Sequence, residues 1–106
     1  MAKIKRYPEA NDQLAFYCPG CNCRHWINDA KTQQPGPVWS FNENFERPTI
    51  QPSVLVRWPA NPSATDDFKE WRTERICHSF ITDGKIQFLN DCTHHLKGQT
   101  VDLNDI

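Results

Sequence analysis

The sequence lacks any long apolar run. No window approaches the roughly 20 apolar residues that a membrane-spanning helix needs, and the N-terminus, MAKIKRYPEA, has no apolar stretch of signal-peptide length. We therefore expect a cytoplasmic protein. Thiols stay reduced in that compartment, so the five cysteines indicate metal binding or reactivity before disulfides.

The chain also lacks a surplus of charge of one sign. Lys and Arg number 12 against 13 Asp and Glu, the net charge is −1, and the two signs are interspersed. A general nucleic-acid binder carries a basic face or stripe, so nucleic-acid binding is disfavoured. Four Trp and six Phe supply a modest core. We expect one zinc-binding domain over residues 1–106, which the bound metal helps to stabilise.

Several catalytic signatures are missing. There is no G-x-S-x-G, H-E-x-x-H or P-loop. The H-x-E…P-C-x-x-C pattern of zinc deaminases is absent too, because CPGC precedes the histidines. What is present is CHSFITDGKIQFLNDCTHHLKGQTVDL, residues 77–103, which holds two cysteines and three histidines.

Short runs of β-branched and aromatic residues between Pro- and Gly-containing loops predict a small antiparallel β-rich (α+β) domain. The predicted strands are residues 14–17, 26–27, 38–42, 53–58, 75–82, 85–90 and 100–103. CPGC predicts a zinc knuckle on a tight turn. DFKEWRTE, residues 67–74, predicts a helix of about two turns, and we expect one or two short helices in all.

Asp83-Gly84 is the dipeptide preferred in two-residue type I′ hairpins. Such a turn pairs residues 77–82 with 85–90, and directly opposed side chains share a face of the sheet. One predicted face holds Cys77, Ser79, Ile81, Ile86 and Phe88, with Cys92 diagonal to Cys77. The other holds His78, Phe80, Gln87 and Leu89, with Asp91 just beyond.

Two separated cysteine pairs that meet in space are the pattern of a four-ligand zinc site. The predicted Zn²⁺ ligands are Cys18, Cys21, Cys77 and Cys92. His25 and His94 are the substitutes, since imidazole serves zinc as well, and Cys23 is the less favoured cysteine. The alternative interpretation is that Cys77 and Cys92 are small buried hydrophobic residues.

His78 and Asp91 are the main candidates for acid–base chemistry, because the hairpin brings them near each other. A carboxylate can orient a histidine and fix its tautomer. Glu46, in a Pro-rich loop, is a further catalytic candidate, and Ser53 and Ser79 are hydroxyls near plausible bases in sequence. For each of these the alternative is an ordinary surface or capping residue.

WSFNENFERPTIQPSVLVRW, followed by residues 77–103, resembles domain-of-unknown-function family 6527, small Cys- and His-rich proteins of phages and bacteria. The resemblance covers about residues 14–105, and its most specific parts are CHSFI, the DG turn, DCTH and GQTVDL. The family pattern falls on Cys18, Cys21, residues 46–49, Cys77, His78, Asp91, Cys92 and His94. Some members lie in operons for ubiquitin-like proteins and look like peptidases that process that partner.

The resemblance implies a protein partner, and two functions remain open. We rank first a phage-encoded zinc-binding accessory protein that binds a host or ubiquitin-like protein. The alternative is a zinc-dependent or zinc-stabilised peptidase or esterase acting on ubiquitin-like conjugates.

The hydrolase has two versions. A catalytic metal needs an open coordination position, with ligands such as Cys77 or His78, Cys92 and His94 and a base at Glu46 or Asp91. A structural metal leaves the chemistry to His78, Asp91 and a nearby hydroxyl in a triad-like arrangement.

Overall fold

The structure, a computed structural model, describes residues 2–106, apart from the side chains of Phe68 and Glu70. Its strands form two antiparallel sheets. The first has the order β1-β2-β3 and consists of Lys5–Tyr7, Gln13–Cys18 and Cys23–Ile27. The second has the order β4-β5-β6-β7-β8 and consists of Ser40–Phe41, Ile50–Trp58, Arg75–Thr82, Lys85–Phe88 and Thr100–Asp102. The prediction of a small antiparallel β-rich domain is confirmed.

The helical segments are 3-10 helices, Pro8–Ala10 and Asp66–Arg72, and residues 2–106 contain no α-helix. The sequence predicts a helix at 67–74, and a seven-residue 3-10 helix lies there. Thr65, at its start, makes no capping hydrogen bond with its side chain, so the helix lacks the bond that stabilises an α-helical first turn. None of the helices in the described chain is long and apolar enough to cross a membrane.

The β6–β7 hairpin has the predicted register, in which residues 79–82 pair with 85–88. Asp83 and Gly84 have φ values of 53° and 79°, as a type I′ turn requires. A Cβ on Gly84 would lie 3.3 Å from the Cα of Arg47. The tip of the hairpin therefore needs glycine both for its backbone angle and for the loop packed against it.

A single core draws on both sheets. Its buried side chains include Leu14, Phe16, Cys18 and Ile27 from the first sheet, and Ile50, Val54, Cys77, Ile81, Ile86 and Phe88 from the second. Along β6 the burial alternates, so Cys77 is 1% exposed while the neighbouring His78 is partly exposed. β6 thus presents one face to the core and the other to solvent.

β5 begins earlier than the sequence predicts. It starts at Ile50, and its pairing with β6 is interrupted by a register shift between Ile50 and Val54. Such a bulge accommodates Pro52, which explains why this strand can contain a residue that signals irregular structure. β4 is shorter than predicted and pairs only with Ile50 and Gln51.

Candidate active site and metal site

Three polar side chains form a continuous chain of hydrogen bonds on the solvent face of the second sheet. His78 Nε2 lies 3.1 Å from Ser53 Oγ, and His78 Nδ1 lies 3.0 Å from Asp91 Oδ2. With Nδ1 protonated and donating to the carboxylate, Nε2 is left to accept the Ser53 hydroxyl proton. This is the order of contacts found in a nucleophile–base–carboxylate triad.

Strand pairing brings the serine to the histidine. His78 on β6 is opposite Leu55 on β5, and Ser53 lies two residues before Leu55, so all three side chains share one face. The Ser53 carbonyl accepts a 2.7 Å hydrogen bond from Trp39 Nε1. That bond fixes the backbone of the serine at the bulge.

The turn after β7 brings the aspartate to the other side of the histidine. Leu89 N–H donates to the His78 carbonyl over 2.9 Å, and Cys92 N–H donates to the Leu89 carbonyl over 3.2 Å. The Cys92 thiol donates to the His78 carbonyl over 3.1 Å, and its sulfur lies 3.2 Å from the His78 N–H. These contacts hold the histidine backbone and place Asp91 beside its ring.

A second group of side chains lies on the opposite, core face of β6 and is positioned to bind a metal ion. One ligand atom from each of Cys18, Cys21, His25 and Cys77 lies within 4.8 Å of the others. The sulfur atoms of Cys18 and Cys77 are 3.8 Å apart, close to the separation that two thiolates adopt on one zinc ion with bonds of about 2.3 Å.

The electrostatics of the three thiols suit a cation. Hydrogen bonds from Cys21 and Cys77 lower the pKa of the Cys18 thiol. The contact with Cys18 raises the pKa of Cys21 to about 12 and also raises that of Cys77. One thiol can therefore ionise readily only if the other two stay protonated, and a dication at the centre would let all three ionise together.

His25 completes the group. It is 3% exposed, and its Nε2 atom has no hydrogen-bond partner among the described residues. A buried polar nitrogen without a partner is costly, and coordination of an ion by the ring would relieve that cost. Three sulfurs and one imidazole are a usual ligand set for structural zinc, so the residues present fit a metal.

The predicted quartet is only partly brought together. Cys92 lies in an overlapping group with Cys77 and His94, while His25, predicted as a substitute, stands with the other three cysteines. The His94 ring packs edge-on against Phe88, and burial lowers its pKa. Cys23 falls in neither group.

Glu46 is placed elsewhere. Its loop packs on the tip of the β6–β7 hairpin, where the Glu46 carbonyl would lie 3.4 Å from a Cβ on Gly84. β6 continues four residues beyond His78 to Thr82 before the turn begins, which is roughly 13 Å along a strand. The structure does not bring Glu46 to the His78–Asp91 pair.

Sequence reasoning left Ser53 and Ser79 as equal hydroxyl candidates. Ser79 is completely buried on the core face, and its Oγ makes no hydrogen bond within the described chain. The predicted hairpin register already puts Ser79 on the face opposite His78. That register could have been used to prefer Ser53 over Ser79. No feature of the sequence indicated the contact that Trp39 makes with Ser53.

The chain was compared with known protein families, and a family model matches it. The family model described as bacterial ubiquitination-like system serine protease (BubE) matches residues 2–89, which include Ser53 and His78 and end just before Asp91. No curated protein and no solved structure gave a match. The match covers most of the chain and confirms the expected link to bacterial ubiquitin-like systems. The chain thus belongs to the BubE family of bacterial ubiquitination-like systems.

Proposed function

We propose that this protein is a serine protease that cleaves an amide or ester bond at the C-terminus of a ubiquitin-like protein. The observation that carries the proposal is the hydrogen-bonded chain from Ser53 through His78 to Asp91 on an exposed sheet face. Family membership supports a protease-like role. It favours the hydrolase, which sequence analysis ranked second, over the accessory binding protein.

In the first half of the reaction Ser53 Oγ attacks the substrate carbonyl carbon and its proton passes to His78 Nε2. Asp91 accepts the Nδ1–H bond, keeps the ring in the required tautomer and stabilises the imidazolium that forms. The tetrahedral intermediate then breaks its bond to the leaving amine or alcohol. His78 gives its proton to that leaving group, and the acyl group remains on Ser53 as an ester.

In the second half a water molecule replaces the leaving group. His78 Nε2 takes a proton from the water as its oxygen attacks the acyl carbon. The bond to Ser53 Oγ then breaks, the proton returns to the serine, and the product leaves as a carboxylic acid, which loses its remaining proton to solvent. The ubiquitin-like protein would be released with a free C-terminus.

We propose further that Cys18, Cys21, His25 and Cys77 bind a zinc ion and that this ion has a structural role. Three of these residues come from the β2–β3 hairpin and Cys77 comes from β6, so a bound ion would cross-link the two sheets. Cys18, His25 and Cys77 are buried and Cys21 is half-buried, and the group lies on the opposite face of β6 from the His78 side chain. The peptidase is therefore of the zinc-stabilised kind.

A fluorophosphonate probe, which reacts with activated serine hydroxyls, tests the proposal directly. We expect one label per chain, placed on Ser53 by peptide mass spectrometry, and hydrolysis of p-nitrophenyl acetate that depends on this residue. Ser53→Ala should abolish both. By comparison with other triads, removal of the nucleophile lowers kcat by about five or six orders of magnitude.

Ser79→Ala is the matched control. It removes the second hydroxyl, which is buried on the core face of the same sheet, and should leave labelling and hydrolysis unchanged. A folded protein in which no serine is labelled, or in which Ser53→Ala keeps full hydrolysis, would contradict the serine mechanism.

A further inference from the structure

The edge of β5 beside the serine is open. β5 pairs with β6 over residues 54–58, but on its other side β4 reaches only Ile50 and Gln51. In the described part of the chain no other strand continues along that edge. The open edge therefore begins at the candidate nucleophile and runs to the end of the strand.

The hydrogen bonds of β6 show which backbone groups of β5 face this edge. The carbonyls of Ile76 and His78 accept bonds of 3.0 and 2.9 Å from the side of β6 that is away from β5. Their opposite residues on β5, Arg57 and Leu55, therefore form non-hydrogen-bonded pairs with β6. In an antiparallel ladder such residues direct both N–H and C=O outward.

The chain before β4 explains why the edge is left open. Trp39 N–H donates to the Asn28 carbonyl over 2.8 Å, which directs the backbone away from β5. Only the Trp39 ring returns, to donate from Nε1 to the Ser53 carbonyl. An incoming peptide strand can thus pair with the edge of β5 beyond Ser53, next to the end of β4, without displacing another strand.

The side chains along this line suit a peptide. Leu55 is 49% exposed and shares the face of Ser53, and Phe80 is 40% exposed on the same face of the adjacent strand. These apolar groups flank the serine–histidine pair and can pack against substrate side chains. Exposed apolar groups beside polar catalytic groups are typical of a binding site.

We infer that the β5 edge from Leu55 to Arg57 binds the acyl-side residues of an extended peptide as an added antiparallel strand. The inference rests on the proposed function. An antiparallel peptide passes Arg57 first and Leu55 next, and brings its carbonyl carbon to Ser53. The Trp39 ring already holds the Ser53 carbonyl, so the scissile residue leaves the ladder there and turns toward Ser53 Oγ. The third and fifth residues counted back from the scissile bond exchange hydrogen bonds with Leu55 and Arg57.

N-methylation of a model substrate tests this register. The substrates are the p-nitrophenyl ester of acetyl-pentaalanine and four analogues, each with N-methylalanine at the second, third, fourth or fifth residue from the ester. Methylation at the third or fifth residue should lower kcat/KM by about tenfold, the effect of one lost hydrogen bond. Methylation at the second or fourth residue should have little effect.

Substitution of the enzyme gives an independent test. Proline is tolerated on edge strands but lacks the N–H, so Leu55→Pro should remove the rate advantage of the pentaalanine ester over p-nitrophenyl acetate. Leu55→Ala keeps the N–H and should keep the alternating pattern of N-methylation effects.

The outcomes separate the two proposals. Equal effects at all four methylated positions, with hydrolysis still dependent on Ser53, would overturn the added strand and leave the protease intact. If the wild-type protein shows no ester hydrolysis that depends on Ser53, both the serine mechanism and the added strand are overturned. A dimer in sedimentation analysis that Leu55→Pro converts to a monomer would assign the edge to a second copy of this chain, and would also overturn the inference.

Discussion

A single histidine side chain connects the polar groups of the candidate active site. His78 contacts a serine through one ring nitrogen and an aspartate through the other, and its backbone is held by the Cys92 thiol. The two side-chain contacts fix which nitrogen carries the proton. The role of the aspartate can therefore be separated from the role of the serine.

Asp91→Asn should leave the fold intact, since Asp91 is exposed, and should lower kcat for ester hydrolysis by about three to four orders of magnitude. The uncharged amide at position 91 no longer favours the His78 tautomer with the proton on Nδ1, and it no longer supplies a negative charge to stabilise the imidazolium. The measurement is kcat with circular dichroism as the check on folding. Asp102→Asn, a change at another exposed carboxylate, is the control and should keep full activity.

Trp39→Phe should lower kcat with little change in KM. The phenyl ring keeps most of the packing but lacks the N–H that binds the Ser53 carbonyl, so the backbone of the nucleophile loses one restraint. Loss of one such hydrogen bond costs about 1 kcal/mol, or roughly a fivefold to tenfold fall in rate if it is expressed in the transition state. Steady-state kinetics checks it, and a rise in KM alone would contradict a positioning role.

The β6–β7 hairpin sets the register that places side chains on the two faces of β6. Gly84 has φ of 79° and approaches the Arg47 backbone closely. Gly84→Ala should lower the free energy of unfolding by about 1–2 kcal/mol, the cost of a left-handed backbone for a residue with a Cβ. Chemical denaturation measures it. Gly98→Ala, also at positive φ but near the Asn90 side chain instead of the backbone, provides a comparison.

An ion pair connects β1 to the segment after β3. Arg6 donates through both terminal nitrogens to Asp29, at 2.9 and 2.7 Å, and Asp29 is 4% exposed. The Arg6 guanidinium holds the pKa of the Asp29 carboxyl below its usual value. The folded state therefore binds this proton less readily than the unfolded state does.

The sign of the pH effect follows. The stabilisation is fully present above the unfolded Asp pKa of about 3.9 and is lost as the pH falls through the lower folded value. Asp29→Asn should cost about 3 kcal/mol at neutral pH and flatten the dependence of stability on pH below the unfolded Asp pKa of about 3.9. Urea titrations across this range test both statements. An equally steep profile in the variant would show that other carboxyls govern acid unfolding.

Secondary structure was predicted correctly from the sequence where a short motif determines it. The Asp83-Gly84 turn identified the hairpin, its register and the residues of each face. The 3-10 helix at Asp66–Arg72 and the early start of β5 lacked such a signal, because Pro52 within the strand and the bulge after Ile50 depend on tertiary pairing. The contact between Ser53 and His78 depends on the same bulge and could not be derived from spacing.

The candidate metal group joins the two sheets of the protein. A chain of 106 residues has a modest core, and ligands from β2, β3, the turn between them and β6 would tie its halves together. Removing zinc with a chelator should lower the melting temperature by more than about 10 °C. At a free zinc concentration 1,000 times the dissociation constant, binding adds about 4 kcal/mol to the free energy of unfolding. Differential scanning calorimetry with and without added zinc measures the shift.

The fourth ligand can be assigned by comparing two variants. His25→Ala removes a member of the four-residue group, while Cys92→Ala removes a residue of the overlapping group. We expect about one zinc per chain in the wild type and in Cys92→Ala, and substantially less in His25→Ala, by mass spectrometry of the native protein. The opposite result would restore the all-cysteine quartet predicted from the sequence.

Side chains alternate between the two faces of β6, so a backbone amide of this strand can report on both sites by NMR. Cys77 and His78 are consecutive, so their Cα atoms are about 3.8 Å apart, yet one faces the buried thiol cluster and the other the candidate catalytic groups. The His78 amide proton also points at the Cys92 sulfur. Its NMR resonance would therefore respond both to metal loading on one side of the strand and to acylation of Ser53 on the other. A single ¹⁵N-labelled amide could then follow both events in one titration.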